Sequence, residues 1–229
     1  MKETSRAEWS QHFHDGRGFR LLGEEEKALL AQHVPAPEGG RALDACCGTG
    51  ELAAFLASLG YEVDGVDFAE GALARARTER TDLPGVRWLC ADIEHDDLTD
   101  LHEGGYDLIT IRLAIAFIRD RRSVLRQLAA RRREGGALVV ITPVVENTPQ
   151  ARRHIALDET ELAQLDEGFV YAERYEAAGL AVLVLRGVGS SLVGEEKQDP
   201  HEEITTPLTE IGVEVDVTAT GSSAPVTST

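Results

Sequence analysis

Leu43-Asp44-Ala45-Cys46-Cys47-Gly48-Thr49-Gly50-Glu51 decides the fold. Arg41 to Cys47 has the length and composition of a buried strand. Behind the glycines, Leu52, Phe55, Leu56 and Leu59 fall at i, i+3, i+4 and i+7 ahead of Gly60, which is one helical face and its stop signal. A strand therefore passes into a helix through two glycines, residues that accept positive φ and let a ligand approach the backbone with no Cβ in the way.

Outward from that turn the same alternation repeats. Glu62 to Asp67, Val86 to Asp92, Tyr106 to Arg112 and Gly136 to Thr142 are short and rich in Val, Ile and Leu, as expected of strands buried on both faces. Ala69 to Arg80 and Ser123 to Arg133 are helical by composition and apolar spacing. Strand, helix, strand in succession predicts an α/β fold, a Rossmann-like doubly wound sheet that is mostly parallel with helices on both faces. Asp158 and Glu161 form a capping box before a short helix. Phe169 to Glu176 and Leu180 to Arg186 are joined by only Ala177 to Gly179, which permits nothing but an antiparallel C-terminal hairpin. Glu24 to His33 reads as a helix before the first strand, followed by a linker containing Pro35, Pro37, Gly39 and Gly40.

In such a sheet a ligand binds in the crevice outside the carboxyl end of the first strand. Gly48-x-Gly50-x-x-Ala53 also satisfies the dinucleotide fingerprint, so the glycines alone leave two ligand classes open. The acids separate them. Asp44 precedes the glycines, where a pyrophosphate would be repelled and a cationic group welcomed. Asp67, at the end of the second strand, is placed to accept from two ribose hydroxyls. Asp92, at the end of the third, is placed to accept from an adenine amino group, with Phe68 and Ile93 enclosing the ring.

These stretches resemble the class I S-adenosylmethionine-dependent methyltransferases. LDACCGTGE is similar to their glycine-rich first motif and VDGVDFAEGAL to the ribose-binding acid and its following helix. LCADI is similar to the adenine-contacting segment, and YDLITIRLAIAF and GGALVVITP to the later strands. The resemblance covers residues 38–188 and implies S-adenosyl-L-methionine as cofactor, held by Asp44, Ala45, Cys46, Gly48, Gly50, Asp67, Phe68, Asp92 and Ile93. Arg112, at the end of the fourth strand, is expected to face the crevice and contact the methionyl carboxylate or the acceptor. Cys46 stands where many members have the first glycine. Residues 1–37 resemble a helical cap that closes over cofactor and acceptor, with His12 and His14 as candidate bases and His154 a third. No base follows from the sequence.

Composition bounds the partners. The 229 residues carry a formal net charge of −17, so nucleic acid and anionic membrane surfaces are unfavourable partners. The arginines between Arg119 and Arg133 lack interleaved aromatics and read as a solvated helix face rather than an RNA site. No segment is long and apolar enough to be a signal peptide or a membrane span, and a cytoplasmic protein is expected. Cys46, Cys47 and Cys90 show no zinc spacing, so no metal is expected. Residues 189–229 form an acidic, Ser/Thr-rich tail whose last 40 residues contain no aromatic and −7 of the charge; disorder is expected there, although Ile211, Val213, Val215 and Val217 alternate like a strand. The expected activity is methyl transfer to a small-molecule acceptor. A peptide or protein methyltransferase, a non-catalytic cofactor-binding module and a nicotinamide oxidoreductase are the alternatives.

Overall fold

The computed structural model describes residues 5–81 and 83–189. The helices are α1 (Arg6–His14), α2 (Glu24–His33), α3 (Glu51–Ser58), α4 (Glu70–Glu79), α5 (Arg121–Ala129) and α6 (Glu159–Leu165). The strands are β1 (Arg41–Ala45), β2 (Glu62–Asp67), β3 (Val86–Cys90), β4 (Tyr106–Arg112), β5 (Arg132–Pro143), β6 (Tyr171–Ala177) and β7 (Leu180–Arg186). They form one seven-stranded sheet in the order β3-β2-β1-β4-β5-β7-β6. The first five are parallel; β7 runs antiparallel between β5 and β6. The chain winds outward through β2 and β3 on one side of β1 and through β4 and β5 on the other, so the topological switch point lies between β1 and β4.

Both sheet faces are covered. One apolar cluster gathers Leu43, Val66, Ile109, Ile111, Leu128, Leu138 and Val140; the other gathers Ala42, Leu56, Val63, Leu108, Val139, Ile141 and Val184. Alternate residues of β1, β4 and β5 point to opposite faces, as period-2 geometry requires. Ala178 and Gly179 adopt φ of 48° and 82°, the two positive angles that suit the twist of a tight hairpin between β6 and β7.

Several boundaries differ from the sequence reading, the main ones for local reasons. β1 stops at Ala45 because Cys46 turns into the left-handed region at φ 58°. β3 stops at Cys90 and is only half-buried, because it is the sheet edge, with no strand beyond it among the described residues. α5 ends at Ala129, and Arg132 and Arg133 belong to β5: Arg132 pairs with Tyr106 across a register shift, and its guanidinium donates to the carbonyls of Gly136 and Gly187. No helix separates β3 from β4, so that crossover is made by turns over residues 91–105.

The amino-terminal segment is fastened at several points. Gly71 of α4 has no side chain where α1 crosses; a Cβ there would stand 2.2 Å from the Ser10 carbonyl oxygen. The Gly71 amide donates to Ser10 Oγ at 2.8 Å, and Arg75 Nη1 donates to the Arg17 carbonyl at 2.8 Å. The connection to α2 is held by Glu51, whose Oε2 accepts from the Leu22 amide at 2.8 Å.

Candidate functional site

The loop after β1 lies at the switch point. Cys47 donates its amide to the Val66 carbonyl and Gly50 donates to that of Cys47, both at 2.9 Å, which folds the loop back against β2. Gly50 caps α3 at φ 74°, and a Cβ there would stand 2.1 Å from the Trp88 ring. Glycine is thus required twice at this position, by the backbone angle and by the indole behind it. Two non-glycine residues end the strands flanking the switch point in the same strained region, Cys46 after β1 and Leu113 after β4, at φ 58° and 57°. Each costs on the order of 1–2 kcal/mol relative to ordinary backbone.

Asp44 is buried in β1 opposite Thr110 of β4, whose Oγ1 donates to Asp44 Oδ1 at 2.9 Å. Asp44 Oδ2 is buried and has no hydrogen-bond partner among the described residues. Burial is the main cause that raises the Asp44 carboxyl to about 7, against the opposing pull of Thr110 and Arg112; the Ala53 amide also favours the charged form without meeting hydrogen-bond geometry. When the carboxyl is ionised, such an oxygen can accept a further hydrogen bond.

Asp67 is arranged differently. Its Oδ2 accepts from the Gly48 amide and its Oδ1 from the Ala69 amide, each at 2.8 Å, so the carboxylate ties the glycine loop to the start of α4. Burial raises its pKa while the Ala69, Gly48 and Phe68 amides oppose the rise. Each oxygen retains a second lone pair, enough for a pair of neighbouring hydroxyls. Asp92 caps its own turn, accepting from the Glu94 amide at 2.9 Å and facing His95 Nδ1 at 3.1 Å. The Cys46 thiol is pushed well up by burial and then by the carboxylates of Asp67, Asp44, Asp92 and Glu94. Burial likewise raises Cys47, which leaves both loop thiols protonated and unreactive at neutral pH.

Ala45 is fully buried at the end of β1, and Gly48 stands under Phe13 of α1, whose ring would lie 3.7 Å from a Cβ at that position. Phe68 packs beside Phe13, Ala69 and Ala72 with the Arg6 guanidinium 5.9 Å above its ring, whereas Ile93 is buried in the main core. A separate cavity of about 330 Å³ adjoins the Asp92 turn, lined by Leu89, Cys90, Ala91, Asp96, Leu98 and Asp100.

Arg112 corrects the expectation drawn from its position. Its Nε and Nη2 grip Glu26 of α2 at 2.7 and 3.1 Å, and Nη1 and Nη2 donate to the carbonyls of Arg20 and Leu21. Glu26 is fully buried and also accepts from the Gly23 amide. The guanidinium is therefore spent on anchoring the amino-terminal segment, because a buried carboxylate outcompetes a ligand from solution for the same fork. His154 is exposed on a 3-10 turn, and His14 is exposed at the end of α1. Sequence reasoning passed over Thr110 and Phe117. Thr110 is a lone hydroxyl inside an apolar strand, a signal that becomes legible only with the β1–β4 register. Among the described residues no group of His, Cys, Asp and Glu could hold a metal ion, and no helix is long and apolar enough to cross a membrane.

Comparison with known proteins agrees with this geometry. The methyltransferase-domain family model matches residues 43–138. An uncharacterised methyltransferase of Mycobacterium tuberculosis is 38% identical over 110 residues, covering 48% of this chain and 52% of the relative. A malonyl-[acyl-carrier protein] O-methyltransferase of Anoxybacillus flavithermus is 33% identical over 117 residues, covering 50% and 42%. The chain thus spans about half the length of the curated relatives it matches. Among solved structures, a TehB-like methyltransferase from Corynebacterium glutamicum shares the fold at a TM-score of 0.55 and 21% identity, covering 79% of this chain and 95% of that one. An S-adenosylmethionine-dependent methyltransferase from Mesorhizobium loti does so at 0.59 and 21%, covering 72% and 99%. The sheet therefore has the Rossmann-like fold of these structures, and residues 43–138 within it are similar to the methyltransferase-domain family.

Proposed function

We propose that the crevice over Cys46 to Gly50 binds S-adenosyl-L-methionine and that the protein transfers its methyl group to a small-molecule acceptor. The observation that carries this reading is the buried, partnerless Oδ2 of Asp44 at the switch point, which suits an ammonium group and repels a pyrophosphate. When bound, the cofactor supplies a methyl carbon already activated by a sulfonium.

The chain's own residues then bind and orient. Asp44 holds the cationic end, with Thr110 fixing the direction of its carboxylate. Asp67 offers its remaining lone pairs to the ribose while keeping Gly48 and Ala69 in place. Phe68, Asp92 and Ile93 border the adenine side. The amino-terminal segment lies over the loop through Phe13, which supports positioning rather than acid–base power as the main source of rate. A net charge of −17 disfavours nucleic acid as the acceptor.

Calorimetry tests the cofactor assignment directly. S-adenosylhomocysteine should bind and NAD should not. Asp67→Asn should weaken S-adenosylhomocysteine by about 1.5–3 kcal/mol, the scale of charge-assisted hydrogen bonds, in a variant that melts normally. Unchanged affinity, or preferential binding of NAD, overturns the assignment.

A further inference from the structure

On the face of the sheet that carries Leu43, Ile109 and Leu138, two segments of opposite charge lie side by side. Residues 91–105 cross from the crevice end of β3 to the opposite end of β4, and α5 likewise runs from the crevice end of β4 to the opposite end of β5. The two are tied together at both ends. Glu94 Oε1 accepts from the Arg119 and Asp120 amides near the crevice, and at the far end the Tyr106 amide donates to the Arg131 carbonyl at 2.9 Å. Leu98 and Leu101 of the crossover share one apolar cluster with Val124, Leu125 and Leu128 of α5.

Burial of those side chains decides what faces outward. With Leu98 and Leu101 inside, the three-residue spacing leaves Asp97, Asp100 and Glu103 exposed. With Val124, Leu125 and Leu128 inside, Arg122 and Arg126 form an exposed i,i+4 pair, and Arg131 follows half-buried. None of these six side chains makes a hydrogen bond or ion pair among the described residues, and Asp100 acts on Arg87 only at longer range. Unpaired arginines stand out in a chain whose acids outnumber its Lys and Arg by 40 to 23 and whose Arg6, Arg77, Arg87 and Arg112 each hold a carboxylate. Solvation alone leaves the matching order unexplained: from the crevice end downward the crossover presents three acids and the helix three bases.

We infer that this face is the contact between two copies of the chain. A two-fold axis in the plane of contact, running between the two segments and along them, sets each crossover against the partner's α5 and preserves height along the sheet. Asp97, Asp100 and Glu103 then meet, in that order, Arg122, Arg126 and Arg131 of the partner subunit, and the same three pairs recur across the axis. Asp97 and Asp100 also line, with Leu89, Leu98 and Leu101, the cavity of about 330 Å³, whose mixed walls suit an arginine's aliphatic stem and charged fork. A partner of another kind would use one of the two charges; a second copy uses both, and the isologous contact closes at a dimer. The net charge of −17 on each chain opposes the pairing. At about 0.15 M salt that diffuse repulsion is largely screened beyond roughly 8 Å, whereas pairs in contact are screened much less.

Charge reversal tests the contact. Sedimentation velocity over a concentration series at about 0.15 M salt should show a monomer–dimer equilibrium. Arg122→Glu with Arg126→Glu makes both segments acidic, and Asp97→Arg with Asp100→Arg makes both basic. Each variant alone should self-associate about tenfold or more weakly than the wild type. Mixed in equal amounts, the two should form a heterodimer as strong as the wild-type dimer, because an acidic face then meets a basic one. The second variant separates the paired face from general repulsion: it lowers the net negative charge, so repulsion alone predicts more dimer and the paired face predicts less. All four side chains are exposed, so both variants should melt close to the wild type. Arg122→Ala with Arg126→Ala, which adds no like charge, should weaken the dimer to a smaller extent. A wild-type protein that stays monomeric overturns the inference, and is the result expected if the arginines serve an acidic protein or a nucleic acid instead. A dimer that survives both reversals, or a mixture that fails to restore it, overturns it as well.

Discussion

At the scale of single residues, Asp44 links the cofactor crevice to pH. Its carboxyl stands at about 7 in the free protein, chiefly because it is buried. An ammonium brought against Oδ2 favours the ionised form, so binding below pH 7 must expel a proton. S-adenosylhomocysteine affinity should therefore fall as pH drops from 7 toward 5, by up to tenfold per unit, and calorimetry in buffers of different ionisation heat should report proton release. Affinity flat across that range would remove Asp44 from the site. The stability consequence has the opposite sense. The folded-state pKa is raised, so between about 4 and 7 the folded protein keeps a proton the unfolded chain releases, and Asp44 costs progressively more stability up to pH 7 and a constant amount above. Asp44→Asn should then stabilise the free protein at pH 8 by on the order of 2–4 kcal/mol while weakening the ligand. The Asp44 position was legible in the sequence as an acid before a glycine pair. Its partner was not, because Thr110 reaches Oδ1 only through strand register. Arg112 was misread for the same kind of reason: strand-end position is visible in a sequence, but the buried Glu26 that takes the guanidinium lies 86 residues away.

At the scale of elements, that ion pair makes α2 and β4 a single unit with the 20–23 connection. Glu26 is fully buried and the Arg112 side chain is only 10% exposed, so removing one partner leaves a desolvated charge. Glu26→Ala should destabilise by about 3–5 kcal/mol in urea titrations, whereas Glu26→Leu combined with Arg112→Met should recover much of the loss. Additive effects in that cycle would mean the pair is not coupled. A second buried knot, Asp64 accepting from Tyr106 Oη at 2.6 Å and twice from Arg87 at 2.7 Å, ties β2 to β3 and, across β1, to β4 at the opposite end of the strands from the ligand crevice. The strand and helix order was readable because periodicity is a local property. The end of α5 and the start of β5 were not, since Arg132 to Gly136 is pulled into the sheet by pairing of Tyr106 with Arg132, a tertiary effect that helix propensity does not contain.

At the scale of the whole molecule, the seven-stranded sheet is assembled entirely from residues before 190. β7 is paired on both edges, by β5 and by β6, so it offers no free position to a further strand. Beyond it the Gly189 amide donates to the Gly168 carbonyl at 2.7 Å, which turns the chain back onto the loop before β6. The strand-like stretch from Ile211 to Val217 lies outside the described residues. What the sequence does fix is charge, since residues 190–229 carry −7 of the total −17 on a body that is itself acidic. Removing them reduces like-charge repulsion, which acts over about 10 Å at 0.1 M salt and further at lower ionic strength. Truncation after Gly189 should therefore leave S-adenosylhomocysteine affinity within about twofold and leave the melting temperature unchanged at 0.5 M salt, with at most a small rise at 10 mM, where the repulsion is least screened. A fall of several degrees at both salt concentrations would mean instead that the Ile211, Val213, Val215 and Val217 face is buried against the domain, since four such side chains are worth several kcal/mol before ordering entropy is subtracted.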